Sequence, residues 1–110
     1  MPVRAFAGNT SFEKFNYEDP LKLTSKLTDE ENMIWESAMQ FSQEKLMPRV
    51  VKAYNEEHFD LEIMKEYAEM GFLGCTIDDY GLGGVSSTSY GLINRAVEYC
   101  DSGYRSALSV

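Results

Sequence analysis

Histidine is almost missing from this 110-residue chain, which has only His58. With no second imidazole, no His-dependent catalytic dyad can be built from these residues. A metal set around His58 would have to use Glu56, Glu57 and Asp60, which are nearly consecutive and point in different directions, so an exposed histidine between helices is expected. Cysteine is scarce too. Cys75 and Cys100 are too few for a disulfide framework and form neither a zinc pair nor a C-x-x-C redox pair, so a reducing compartment and ordinary packing are expected. Positive charge is short, with 10 Lys and Arg against 18 Asp and Glu, a net charge of −8. That balance argues against nucleic acid as a partner, because phosphate binding rests on clustered Lys and Arg. No apolar run approaches the roughly 20 residues that span a bilayer.

What is present is an ordinary globular composition, 44% hydrophobic and 25% charged, enough for one domain. The acids crowd the first 70 residues, where Gly8 is the only glycine; the other seven glycines follow from Gly71 onward. Residues 1–14 read as a flexible start and Phe15–Leu23 as an extended or turn segment ahead of and around Pro20. Thr28 and Glu31 form a capping-box pattern, with Asp29 and Glu30 adding negative charge at the positive end of the helix dipole. Ile34, Ala38 and Phe41 then recur at helical spacing, roughly continued by Leu46 and Val50. Pro48 should kink this helix or start a new run to about Glu56.

A second helix is expected over Asp60–Met70, with Asp60 as N-cap, Leu61, Met64 and Ala68 on one face joined by Ile63 and Tyr67, and Gly71 as the C′ residue. Residues 71–84 hold five glycines and read as a loop. Its Gly81-Leu82-Gly83-Gly84 matches neither G-x-G-x-x-G nor the P-loop, so a plain turn is expected. A third helix starts near Ser86 or Ser87 and runs to about Cys100; Asp101 or Ser102 caps a fourth that reaches Val110. The aromatic residues through this half, without a basic groove, read as core and loop anchors. The fold class is all-α, with about four helices, and the sequence stops inside an apolar, helix-like stretch.

Arg105 stands out because its neighbours are Gly103, Tyr104, Ala107, Leu108 and Val110. A guanidinium in such surroundings needs a partner. It either forms a structural ion pair with Glu98 or Asp101, or it grips a ligand carboxylate through its planar fork.

The segment Asp101-Ser102-Gly103-Tyr104-Arg105-Ser106-Ala107-Leu108-Ser109-Val110 resembles the start of the fourth helix of glutaryl-CoA dehydrogenases, in the acyl-CoA dehydrogenase superfamily. Glu44-Lys45-Leu46-Met47-Pro48-Arg49 resembles that family's first-helix turn, and Phe15-Asn16-Tyr17-Glu18-Asp19-Pro20-Leu21 its lead-in segment. Met70–Gly74, Tyr80-Gly81 and Gly84–Ser87 resemble the loop into its third helix. The resemblance covers residues 15–110, in order; Cys75 before Thr76, where relatives often carry Pro, is a departure.

The resemblance implies an N-terminal helical domain over 15–110, here incomplete, with the FAD-binding β domain and the catalytic carboxylate lying beyond Val110. It implies an FAD-dependent homotetramer in the mitochondrial matrix that oxidises and decarboxylates glutaryl-CoA to crotonyl-CoA in lysine and tryptophan degradation. Electron-transfer flavoprotein would be the acceptor. Carried onto this chain, Arg105 would hold the distal carboxylate of the acyl group, Ser106 would join that contact, and Glu98 would orient Arg105; no catalytic or flavin-binding residue is expected within the 110 residues. Two other readings stay open. One is a dehydrogenase or oxidase for a neutral short acyl-CoA, with Arg105 purely structural; the other is a non-catalytic helical interaction module.

Overall fold

The computed structural model describes residues 13–110, which are helical throughout their regular structure. The flexible start expected over 1–14 falls, for residues 1–12, outside them. Helix α1 spans Asp29–Phe41 and α2 spans Met47–Asn55, joined without a break by a π-helical turn over Ser42–Leu46. Helices α3 (Glu62–Glu69), α4 (Ser87–Cys100) and α5 (Ser102–Ser109) follow, giving four helical rods when α1, the π turn and α2 are taken as one. Ahead of them lies a single 3-10 turn at Thr24–Lys26.

The start of α1 follows from the capping box. The Thr28 hydroxyl accepts from the Glu31 amide at 3.2 Å, and the Glu31 carboxylate accepts from the Thr28 amide at 3.0 Å. Asp19 plays a similar part upstream, taking the Leu23 and Thr24 amides at 2.8 and 3.0 Å. Pro48 lies in the first turn of α2, where a new α-helical run begins after the π turn, as one of the two expectations had it. It has no amide proton for the α-helical bond to Glu44, and the turn before it widens so that the Met47 amide reaches the Ser42 carbonyl. The widened turn also keeps the apolar stripe in register: five residues separate Phe41 from Leu46, and both are buried.

On α3 the buried face is narrower than the periodicity suggests. Ile63 and Tyr67 are fully buried, whereas Leu61 and Ala68 are exposed. The i, i+4 pair faces the core because Tyr67 inserts beside Phe41 and Phe72, its ring centroid 6.0 and 6.2 Å from theirs. Gly71 ends the helix at φ +70°, as a C′ glycine should. The glycine-rich stretch is a loop closed by the Gly84 amide on the Ile77 carbonyl and the Val85 amide on the Cys75 carbonyl, at 3.1 and 2.8 Å.

Helix α1 packs chiefly on α4, α4 on α5 and on the π turn, and α3 on α5. The shared core holds Ala38, Leu46, Ile93, Ala96, Val97 and Tyr104. One polar tie holds the helix carrying Arg105 to α3, and a second holds α3 to α2. The buried Tyr67 hydroxyl donates to the Tyr104 carbonyl at 3.1 Å. Arg49 joins α2 to α3, donating to Asp60 at 3.2 Å and to both Glu66 oxygens at 2.7 Å.

Candidate functional site

The site lies at the corner between α4 and α5. Asp101 is extended there (φ −163°, ψ 134°), which breaks the helix, and its carboxylate caps α5 by accepting from the Tyr104 amide at 3.0 Å. Gly103 makes that cap possible: a Cβ at this position would stand 2.9 Å from the capping oxygen. Asp101 is therefore committed to the backbone, and the acid left for Arg105 is Glu98, on the last turn of α4.

The Arg105 Nε donates to Glu98 Oε2 at 2.8 Å, and Nη1 donates to the Ser109 hydroxyl at 3.0 Å. The Ser109 hydroxyl in turn donates a hydrogen bond to the Arg105 carbonyl at 3.2 Å. The other Glu98 oxygen accepts from the Ser102 hydroxyl at 2.5 Å. These bonds hold the Glu98 carboxyl below the usual glutamate range, the Ser102 hydroxyl contributing most and the Arg105 guanidinium next. Among the described residues Nη2 of Arg105 has no hydrogen-bond or ion-pair partner.

Of the residues expected at this site, Arg105 and Glu98 are brought together. Ser106 is half-buried on the next position of α5; its carbonyl accepts from the Val110 amide, and its hydroxyl takes no part in the cluster. Ser102 and Ser109 were not anticipated. For Ser109 the spacing was the signal, since Arg105 and Ser109 are i, i+4 on α5; Ser102 lies across the helix break from Glu98, where helical spacing gives no guide.

The arrangement can bind an anion, and the described residues add no group poised for proton transfer or nucleophilic attack beside it. Burial pushes the Cys75 and Cys100 thiols up, away from the reactive thiolate. It does the same to the Tyr67 and Tyr104 phenols. His58 is exposed, and no group of three His, Cys, Asp or Glu among the described residues is placed to hold a metal ion. No described helix is long and apolar enough to cross a membrane. The described residues contain no strand, and in Gly81–Gly84 the Gly84 amide donates to the Ile77 carbonyl.

Residues 28–110 match the N-terminal domain of acyl-CoA dehydrogenases, and the chain belongs to that family. The match opens on Thr28, the N-cap of α1, and takes in all four helical rods. A particular relative is isobutyryl-CoA dehydrogenase, mitochondrial, of Dictyostelium discoideum, 32% identical over 85 residues. That alignment covers 76% of this chain and 20% of the relative, so the chain spans about a fifth of the relative's length. Family membership settles the helical domain; the glutaryl branch is a finer assignment than the match makes.

Proposed function

We propose that this chain is the N-terminal helical part of an FAD-dependent acyl-CoA dehydrogenase whose acyl pocket takes a glutaryl chain, with Arg105 holding the distal carboxylate. The oxidation at the α and β carbons and the loss of CO₂ to give crotonyl-CoA belong to the whole protein, with FAD as the family's cofactor. This chain's share is recognition of the acyl tail. A homotetramer, electron-transfer flavoprotein as acceptor and the mitochondrial matrix complete the reading; the last has support in the mitochondrial relative.

The observation that carries the proposal is a guanidinium with an open edge in the least charged part of the chain. Glu98 takes Nε and Ser109 takes one proton of Nη1, while among the described residues Nη2 and the second proton of Nη1 meet no acceptor. Those two nitrogens form the edge that receives a carboxylate in parallel bidentate fashion. Ser106, next to Arg105 and outside the hydrogen-bonded cluster, is a second contact for the same group.

A neutral short-chain acyl-CoA is the alternative substrate. It is favoured by the Glu98 pairing, which already gives Arg105 a counterion, and by the isobutyryl specificity in the relative's name. Arg105→Ala in the complete enzyme separates the two. Loss of one charge-assisted contact of about 2–3 kcal/mol lowers kcat/KM for glutaryl-CoA by roughly thirty- to two-hundredfold, with butyryl-CoA little changed. Equal losses on both substrates would assign Arg105 to structure alone.

A further inference from the structure

We propose that Ser102 is a positioning residue that keeps the carboxylate-binding edge of Arg105 open, and so helps set preference for a dicarboxylic acyl group. The inference rests on the reading of Arg105 given above.

Glu98 is the natural competitor for that edge. It sits on the last turn of α4 with 45% of its side chain exposed, and Arg105 is 34% exposed, so neither is locked by packing. A glutamate free to move can put both oxygens on a guanidinium, as Glu66 does on Arg49, where Nη2 lies 2.7 Å from each carboxylate oxygen. Glu98 does otherwise. Its Oε1 is taken by the Ser102 hydroxyl at 2.5 Å, and only Oε2 reaches Arg105, at Nε. Ser109 accepts from Nη1 at 3.0 Å. The guanidinium is thus held at Nε and Nη1, while among the described residues no acid meets its Nη1–Nη2 edge. An arginine that grips a ligand carboxylate beside its own counterion requires this division of labour.

The position of Ser102 suits it to the task. It is the first residue of α5, four residues after Glu98 and beyond the extended Asp101, so its hydroxyl spans the corner between the helices. Removing the hydroxyl frees Oε1 to turn toward Nη1 or Nη2, where it competes with the ligand. The Ser102 hydroxyl is also the leading cause of the lowered Glu98 pKa, which gives an independent handle on the same contact.

The test compares Ser102→Ala, Ser102→Thr and Arg105→Ala. In this chain, NMR follows the Glu98 carboxyl titration and the Arg105 Nε–Hε resonance. In the complete enzyme, kcat and KM are measured for glutaryl-CoA and butyryl-CoA. Ser102→Ala is expected to raise the Glu98 midpoint, shift the Hε resonance and raise KM for glutaryl-CoA roughly three- to tenfold, with kcat and both butyryl-CoA constants held. Ser102→Thr keeps a hydroxyl at this position and restores each value. An unmoved Glu98 midpoint and Hε resonance would overturn the inference. So would a KM rise shared by both substrates, or a threonine variant as impaired as the alanine one. If Arg105→Ala abolishes the glutaryl preference and Ser102→Ala leaves it intact, only this inference fails. If Arg105→Ala keeps the preference, the reading of Arg105 fails and takes the inference with it.

Discussion

Arg49→Met probes the tie on which the placement of α5 depends. The guanidinium donates Nε to the Lys45 carbonyl at 2.7 Å, Nη1 to Asp60 at 3.2 Å and Nη2 to both Glu66 oxygens at 2.7 Å. It joins the π turn, the lead into α3 and α3 itself, and α3 in turn holds α5 through the Tyr67 hydroxyl. Methionine keeps much of the aliphatic stem and deletes the charge. Breaking a fully buried ion pair costs about 3–5 kcal/mol, because the remaining acid is left buried and unpaired, whereas exposed pairs contribute about 0–1 kcal/mol. Arg49 and Glu66 each leave 26% of the side chain exposed, and Asp60 43%, so the network sits between those limits. We expect a loss of about 2 kcal/mol.

In a domain of this size each kcal/mol moves Tm by roughly 4–8 °C, so the variant should melt about 8–16 °C lower. Urea unfolding at neutral pH, followed by helical circular dichroism, gives the free energy directly. A second substitution sharpens the measurement. Glu66→Leu in the Arg49→Met background removes the stranded acid, and the double variant should recover at least about 1 kcal/mol relative to the sum of the singles. An Arg49→Met variant within about 0.5 kcal/mol of the parent would refute the argument, as would strict additivity in the double.

The glycines and the carboxylates give two more tests. Gly84 sits at φ +56°, and a Cβ there would meet Asp78 atoms at 3.1–3.3 Å; Gly84→Ala should cost roughly 1–3 kcal/mol in thermal melts. Gly91, inside α4 with nothing within 4 Å of an added Cβ, should behave oppositely, Gly91→Ala raising stability by about 0.5–1 kcal/mol. Asp19, Glu31 and Glu98 all titrate below their ordinary values of 3.8 and 4.5 in the folded chain, each held down first by a hydrogen bond from Thr24, Thr28 and Ser102 respectively. The unfolded state then takes up protons first as pH falls, so their stabilisation is complete near neutrality and is lost below about pH 4. Denaturant midpoints that stay level from pH 7 to pH 3 would contradict this.

Local signals carried most of the helix boundaries. Thr28 with Glu31, Ser86, Asp101 and Gly71 are each a small polar residue or glycine where unpaired amides or a left-handed turn demand one, and each does that job in the fold. The π turn was not legible: Leu46 read as a rough continuation of the α-helical stripe, and it is the widened turn before Pro48 that buries both Phe41 and Leu46. The buried face of α3 was not legible, because Leu61, Ile63, Met64, Tyr67 and Ala68 offer two overlapping apolar stripes. What chooses between them is non-local: Phe41 and Phe72 for the Tyr67 ring, and the Tyr104 carbonyl for its hydroxyl.

The partner of Arg105 shows the same division. Spacing left Glu98 and Asp101 as equal candidates, and electrostatics between exposed groups at such distances does not rank them. The helix break ranks them. Once the chain turns at an extended Asp101, the first amides of α5 need an acceptor, and the Asp101 carboxylate lies at the Tyr104 amide with Gly103 giving it room. Glu98, one turn back on α4, is then the acid that remains, and it meets Arg105 from the side, at Nε, where the outer edge of the fork stays clear. The side-on pairing of Arg105 with Glu98 is therefore a consequence of how α5 is capped.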